Sequence, residues 1–302
     1  MGRHKTMDTL VTSIATIYGN AMKFFSEGSQ SRPLTELAAE MNCTVPSING
    51  PGAYTASLET TTEQFDVDYS VERWFGETAP TLLFHHGSGD IPYYRRIRKI
   101  LGAGKRESDA LAGVNIVATC SPYNRSKREY YRAIRDLGRF ATLLAGSVVV
   151  IEEIVRTLAS SSRVVVSGIS LGGWITNLHH AQFDSAHEYR PIFAGAALDA
   201  LFTESSYSAL AAADARSRPE ALKTCLNFED EFLRRPNNKV HALLARHDQY
   251  IILQRQSGIY RPENLTVIEK GHITGSADNR ALFRFLSAGF PVATAVPGGG
   301  AA

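Results

Sequence analysis

Residues 163–174 read RVVVSGISLGGW, a run of three valines that gives way to Ser170 set among three glycines. A short β-branched run bounded by a turn signal is the pattern of a strand buried on both faces. The five residues GISLG at 168–172 fit G-x-S-x-G. In that arrangement the serine sits on a strained strand-to-helix turn, and the glycines two before and two after it let strand and helix approach without Cβ clashes. The pentapeptide is short enough to arise by chance, so its setting decides what it means. Here a buried-strand run, Val164 to Val166, precedes it and a helix-like segment, WITNLHHAQF, follows. The plain alternative is a Gly/Ser turn that merely links strand to helix.

Outward from that junction, short apolar runs alternate with helical ones from residue 80 onward. TLLFHH, GVNIVATC, RVVVSG, IFAGAALD, VHALLARHD and LTVIEKGH read as strands; IPYYRRIRKIL, the stretch from Arg128 to Ser160, LGGWITNLHHAQF and NRALFRFLSAGF read as helices. Such alternation requires crossover connections, and hence a mostly parallel sheet with helices on both faces, a three-layer α/β/α sandwich. Upstream, QFDVDYSVERWF alternates apolar and polar from Phe65 to Trp74, which predicts antiparallel edge strands with one wet face.

The predicted organisation is a helical N-terminal extension over 1–50, an α/β domain over 51–291 and a disordered tail over 292–302. Within the extension, Leu10, Val11, Ile14, Ile17, Tyr18 and Met22 have helical spacing, and LTELAAEM after Pro33 reads as a second short helix. An Ala- and charge-rich helical insert at about 203–238 interrupts the domain between two strands and is a candidate lid.

The chain has 302 residues, 44% hydrophobic and 21% charged, with a net charge of only +2, so nothing global argues for a nucleic-acid partner. Cys43, Cys120 and Cys225 are odd in number, far apart and without a CxxC pair. They form neither a disulfide framework nor a zinc site, and the expected location is the cytoplasm. Polar residues Asp8, Thr9, Thr12, Ser13 and Asn20 interrupt the N-terminal apolar positions, which argues against a secretory signal. No apolar run approaches the roughly 18 residues of a membrane span, so no integral membrane segment is expected. The opening MGRHKT fits a loose N-myristoylation pattern, with a disordered start as the plainer reading.

A serine hydroxyl is a poor nucleophile until a base takes its proton, and that base must be oriented by a third group. Three further stretches offer these parts. HHGSGD at 85–90 directly follows the strand TLLF and leaves loop N–H groups unpaired, so the amides of Ser88 and Leu171 are candidate oxyanion donors. RHDQY places Asp248 just past one apolar strand and KGH places His272 just past the next. Carboxyl ends of consecutive strands are where an open α/β sheet sets its site, and the order Ser, Asp, His suits the constellation. Asp199 in AALDALF also follows a strand and is the alternative acid, with Asp248 favoured.

Other groups read as structural. His86 is expected to hold its loop by a hydrogen bond, and His247 to be structural. His179 and His180, on the helix after Ser170, lack a carboxylate set at ligand spacing, so no metal is expected. LGAGKRES at 101–108 lacks the full phosphate-loop pattern. YYRRIRK at 93–99 and RSKREYYR at 125–132 follow strand ends and are candidates for a cationic site mouth; solvated helix faces are the plainer reading.

Together HHGSGD, GISLGG, RHDQY and KGH resemble the serine-nucleophile, esterase- and lipase-like enzymes of the α/β-hydrolase superfamily, over about residues 65 to 290. The resemblance implies Ser170 as nucleophile, Asp248 as triad acid, His272 as general base, and the Ser88 and Leu171 amides as the oxyanion hole. It also implies a lid between the strands flanking 203–238. The function expected is hydrolysis of a small-molecule acyl substrate, a carboxylic ester or a thioester or lactone, with no cofactor. An acyltransferase or peptidase on the same residues, and a non-catalytic binding protein of the same fold, remain the alternatives.

Overall fold

The computed structural model describes residues 6–10, 13, 23–104 and 110–290. Most of the myristoylation pattern, the apolar positions at 11–22, the end of LGAGKRES and the tail over 292–302 lie outside the described residues.

Nine strands form one sheet in the order β1-β2-β3-β5-β4-β6-β7-β8-β9. They are β1 (Asn42–Thr44), β2 (Gly52–Glu59), β3 (Gln64–Arg73), β4 (Thr81–His85), β5 (Asn115–Thr119), β6 (Val164–Ile169), β7 (Glu188–Ile192), β8 (Ala242–Ala245) and β9 (Leu265–Ile268). From β5 to β9 every neighbouring pair is parallel, whereas β1, β2 and β3 form an antiparallel end joined to β5. The strands β4, β5 and β6 are buried along their whole length, as continuous apolar runs between helical layers require. β3 alternates exposed and buried over its first half, which is the period-2 pattern of the sequence.

From Leu34 onward twelve α-helices are described: α1 (Leu34–Ala39), α2 (Arg95–Gly104), α3 (Lys127–Ile134), α4 (Leu137–Ala159), α5 (Leu171–Gln182), α6 (Asp199–Thr203), α7 (Ala213–Arg216), α8 (Pro219–Leu226), α9 (Glu229–Leu233), α10 (Leu253–Gln256), α11 (His272–Ser276) and α12 (Asn279–Ser287). α2 packs on α12, while α1 and α5 pack on α4, giving a helical layer on each side of the sheet. The helical stretch expected from Arg128 to Ser160 is broken in two, because Asp136 leaves the helix and accepts the Arg139 amide at 2.8 Å as the N-cap of α4.

Residues 203–238 lie between β7 and β8 and fold as short pieces, from the end of α6 through a 3₁₀ turn at Ser206–Leu210 to α9. The first 50 residues contribute more than helix. Their strand β1 extends the sheet, pairing Asn42 with Glu59 and Thr44 with Ser57. Phe24 bridges to Ala211 of the insert, and Gly28 bridges to Asp136. Among the described residues no helix is long and apolar enough to cross a membrane.

After β5 is laid on one side of β4, the chain returns to place β6 on the other. The crevice outside the carboxyl ends of β4 and β6 is therefore the topological switch point, where an open α/β sheet binds its ligand.

Candidate active site

Ser170 stands between β6 and α5 with φ 55° and ψ −113°, a backbone region that side chains other than glycine avoid. Its amide donates to the Ile192 carbonyl of β7 at 2.8 Å, and its carbonyl accepts the Trp174 amide at 3.0 Å, so strand and helix both fix the turn. A Cβ on Gly168 would collide with the backbone of Gly172, and one on Gly172 with the carbonyls of His85 and His86. These two glycines allow the turn to close on itself and on the end of β4.

Asp248 follows β8. The Tyr250 and Ile251 amides each donate to its Oδ1 at 2.8 Å, which fixes the carboxylate and leaves Oδ2 to face His272. His272 opens α11; its Nδ1 lies 2.7 Å from Asp248 Oδ2 and its Nε2 lies 3.0 Å from Ser170 Oγ. An ionised carboxylate only accepts, so the imidazole carries its proton on Nδ1 and offers the Nε2 lone pair to the serine hydroxyl. Burial by itself disfavours the charged imidazole, but the Asp248 carboxylate, through charge and hydrogen bond, and the Asp8 carboxylate outweigh it. The His272 pKa is therefore raised above the ordinary imidazole value.

Of the two candidate acids, Asp248 is the one brought to His272. Asp199 opens α6, where its Oδ1 accepts the Asn227 side-chain amide at 2.9 Å and burial pushes its carboxyl pKa up.

Ser88 and Leu171 line the same cavity as Ser170 and His272. Gly87 donates its amide to Asp90 Oδ2 at 3.1 Å, tightening the loop that carries Ser88. Among the described residues neither the Ser88 nor the Leu171 amide has a protein acceptor. The Ser88 hydroxyl is itself engaged by the Tyr130 hydroxyl. The cavity measures about 420 Å³ and is walled by Trp174, Phe24, Phe140, Phe202 and Tyr207.

His86, His179, His180 and His247 lie away from the Ser170–His272 contact. His86 is fully buried, with Nδ1 2.6 Å from the Gly87 carbonyl and Nε2 3.2 Å from Asn124 Nδ2, and burial lowers its pKa. His179 and His180 are buried on α5, beside Glu152 and Asp184 respectively. His247 Nε2 lies 3.2 Å from Glu269. Of the basic aromatic stretches, Arg96, Lys127, Tyr130 and Tyr131 do reach the cavity, whereas Arg98 pairs with Glu72 and Arg125 with Asp68.

Two contributors escaped the sequence reading. Asp8 figured there only as a polar interruption, yet it is fully buried against the Asp248 and His272 loops. Phe24 sits in the cavity wall. Neither has a local motif, because the groups they meet lie far along the chain: Asp8 bonds to residues 241 and 264 positions away.

No protein-family model matches the sequence, and no curated protein matches it. Solved structures do resemble the fold. The acylaminoacyl peptidase of Pyrococcus horikoshii superposes with a TM-score of 0.56 at 17% identity, over 81% of this chain and 42% of that one. This chain thus spans about two fifths of the peptidase's length. Acetyl xylan esterase 1 from Thermoanaerobacterium sp. JW/SL YS485 gives a TM-score of 0.55 at 13% identity, over 87% of this chain and 97% of the esterase. The acetyl xylan esterase from Paenibacillus sp. R4 gives 0.54 at 11% identity, over 84% and 92%. With its mostly parallel sheet, its strand-turn-helix junction at Ser170 and these structural likenesses, the chain has the α/β-hydrolase fold.

Proposed function

We propose that the protein is a serine hydrolase that cleaves an ester-type bond through an acyl-enzyme on Ser170. The observation that carries this reading is the unbroken chain of hydrogen-bonding atoms from Asp248 Oδ2 through both His272 nitrogens to Ser170 Oγ, at the surface of an apolar cavity. Ser170 Oγ attacks the acyl carbonyl carbon while its proton passes to His272 Nε2, and Asp248 stabilises the imidazolium so formed. The carbonyl oxygen becomes an oxyanion, for which the unpaired amides of Ser88 and Leu171 are the donors. Collapse of the tetrahedral intermediate expels the alkoxide or thiolate, which takes the proton from His272. Water then repeats the sequence on the acyl-enzyme, releasing the acid and restoring Ser170. No cofactor enters.

The aromatic-walled cavity suits the acyl part of a small carboxylic ester, thioester or lactone. All three cysteines are free, and Cys120 and Cys225 are buried, which is in keeping with a reducing compartment such as the cytoplasm. The test is a fluorophosphonate probe with intact-mass detection. Wild type is expected to gain one adduct and Ser170→Ala none; an unlabelled wild type, or equal labelling of the variant, overturns the reading in favour of a non-catalytic binding role. Adding an alcohol during turnover of a p-nitrophenyl ester separates hydrolysis from acyl transfer, because a transferase yields the new ester rather than the free acid.

A further inference from the structure

Asp8 belongs to a helical turn at residues 6–10, far in sequence from every group at the site, yet it has no exposed surface. Its side chain joins two loops. Oδ2 accepts the Gln249 amide at 3.2 Å and the His272 amide at 2.8 Å, and Oδ1 accepts the Ile273 amide at 3.0 Å. Its main-chain carbonyl accepts the Tyr250 hydroxyl at 3.0 Å. Gln249 and Tyr250 directly follow Asp248, and the Tyr250 ring lies 4.9 Å from the His272 ring. One carboxylate therefore grips the backbone of the loop that carries the acid and the backbone of the residue that serves as base.

The strands β8 and β9 end at Ala245 and Ile268, so neither ladder reaches Asp248 or His272. Beyond the strands, the Arg246 and His247 amides still donate across to the Ile268 and Lys270 carbonyls at 2.9 Å, and past that last backbone link Asp8 supplies a shared acceptor for the Gln249, His272 and Ile273 amides. We propose that Asp8 is a positioning residue: the N-terminal segment inserts its carboxylate between the Asp248 and His272 loops and holds the acid and base in register with Ser170. This rests on the serine-hydrolase reading above. Misplacement of about an ångström at a reacting group can cost about 10²-fold in rate.

Among the described residues, the charged and titratable groups facing His272 are Asp248, Asp8, Tyr250 and Ser170, while Phe193 presents only its ring and Arg96 reaches the far end of α11 at the Ser276 carbonyl. The Asp8 charge adds to that of Asp248 in favouring imidazolium. Its removal therefore lowers the His272 pKa, and the neutral base persists to lower pH.

The experiment compares full-length wild type, Asp8→Ala, Asp8→Asn and Asp8→Glu. It reads kcat and KM on a p-nitrophenyl ester, the fluorophosphonate labelling rate, and the His272 imidazole titration by NMR, assigned with His272→Gln. Asp8→Ala is expected to lose up to about 10²-fold in kcat, with KM changed far less and a matching fall in labelling rate. Asp8→Asn, nearly isosteric and folded by circular dichroism, is expected to shift the His272 titration and the acid limb of kcat/KM to lower pH, while Asp8→Glu recovers part of the rate. Wild-type kcat and an unmoved titration in Asp8→Asn overturn the positioning role, as does an Asp8→Ala loss that only follows the unfolded fraction. If wild type is labelled and the Asp8 variants match it in rate and titration, the positioning role alone fails; an unlabelled wild type sinks both readings.

Discussion

Ser170 keeps a backbone conformation that costs of order 1–3 kcal/mol for a residue with a side chain, and the surrounding hydrogen bonds to Ile192 and Trp174 hold it there. Such strain has a use if the hydroxyl must project to a base, and His272 Nε2 stands 3.0 Å away. The raised pKa of His272 predicts a pH dependence. With His272 as the proposed base, catalysis needs the neutral imidazole, so kcat/KM is expected to fall as pH drops through that raised value, with the acid limb above the ordinary imidazole pKa of about 6.5. Asp248→Asn removes the nearest charge and the acceptor that selects the Nδ1–H tautomer. It should lower kcat by about 10⁴-fold without loss of fold, while Asp199→Asn, altered 2.9 Å from Asn227 rather than at His272, should leave kcat near wild type. Steady-state kinetics on both variants checks this, and a loss confined to Asp199→Asn reverses the assignment of the acid.

The β6–α5 junction works as an element because two glycines remove the atoms that would otherwise separate its parts. Gly172→Ala places a methyl group against the main-chain carbonyls of His85 and His86, neither of which can rotate away as a side chain would. The expected cost is about 1–3 kcal/mol of stability, together with displacement of the β4 end that carries Ser88 and hence a disproportionate fall in kcat. Thermal denaturation and ester turnover on the variant check it; wild-type values of both would show that the junction relaxes freely. This element was legible in the sequence because its constraint is local: the valine run, the glycine spacing and the serine all fall within RVVVSGISLGGW. The strand ends bearing Asp248 and His272 were legible for the same reason. The break at Asp136 was carried by a local N-cap but lay hidden inside one continuous helical pattern. β1 has only three residues, too few for alternation to register, and its place is fixed by pairing with β2.

At the scale of the whole molecule, the cavity wall unites segments that no sequence window contains. Phe24 comes from the N-terminal segment, Phe140 from α4, Phe202 from α6 and Tyr207 from the start of the insert. Their rings form one cluster, with Phe24 5.1 Å from Phe202 and 5.7 Å from Phe140, and Phe202 6.0 Å from Tyr207. The mostly parallel sheet followed from the alternation of strands and helices along the chain, but which aromatic rings cover the switch point depends on contacts between segments distant in the chain. If this cluster receives the acyl chain, each methylene it buries is worth about 0.8 kcal/mol, or about fourfold in kcat/KM. Across p-nitrophenyl esters of rising length, kcat/KM should climb by up to that factor per carbon until the cavity of about 420 Å³ is full, and then fall. Phe202→Leu keeps an apolar side chain while opening space beside Phe24 and Phe140, so its optimum should move to a longer acyl chain. A wild-type profile flat in chain length would show that the acyl group lies elsewhere, and an optimum unmoved in Phe202→Leu would place the end of the chain away from this cluster.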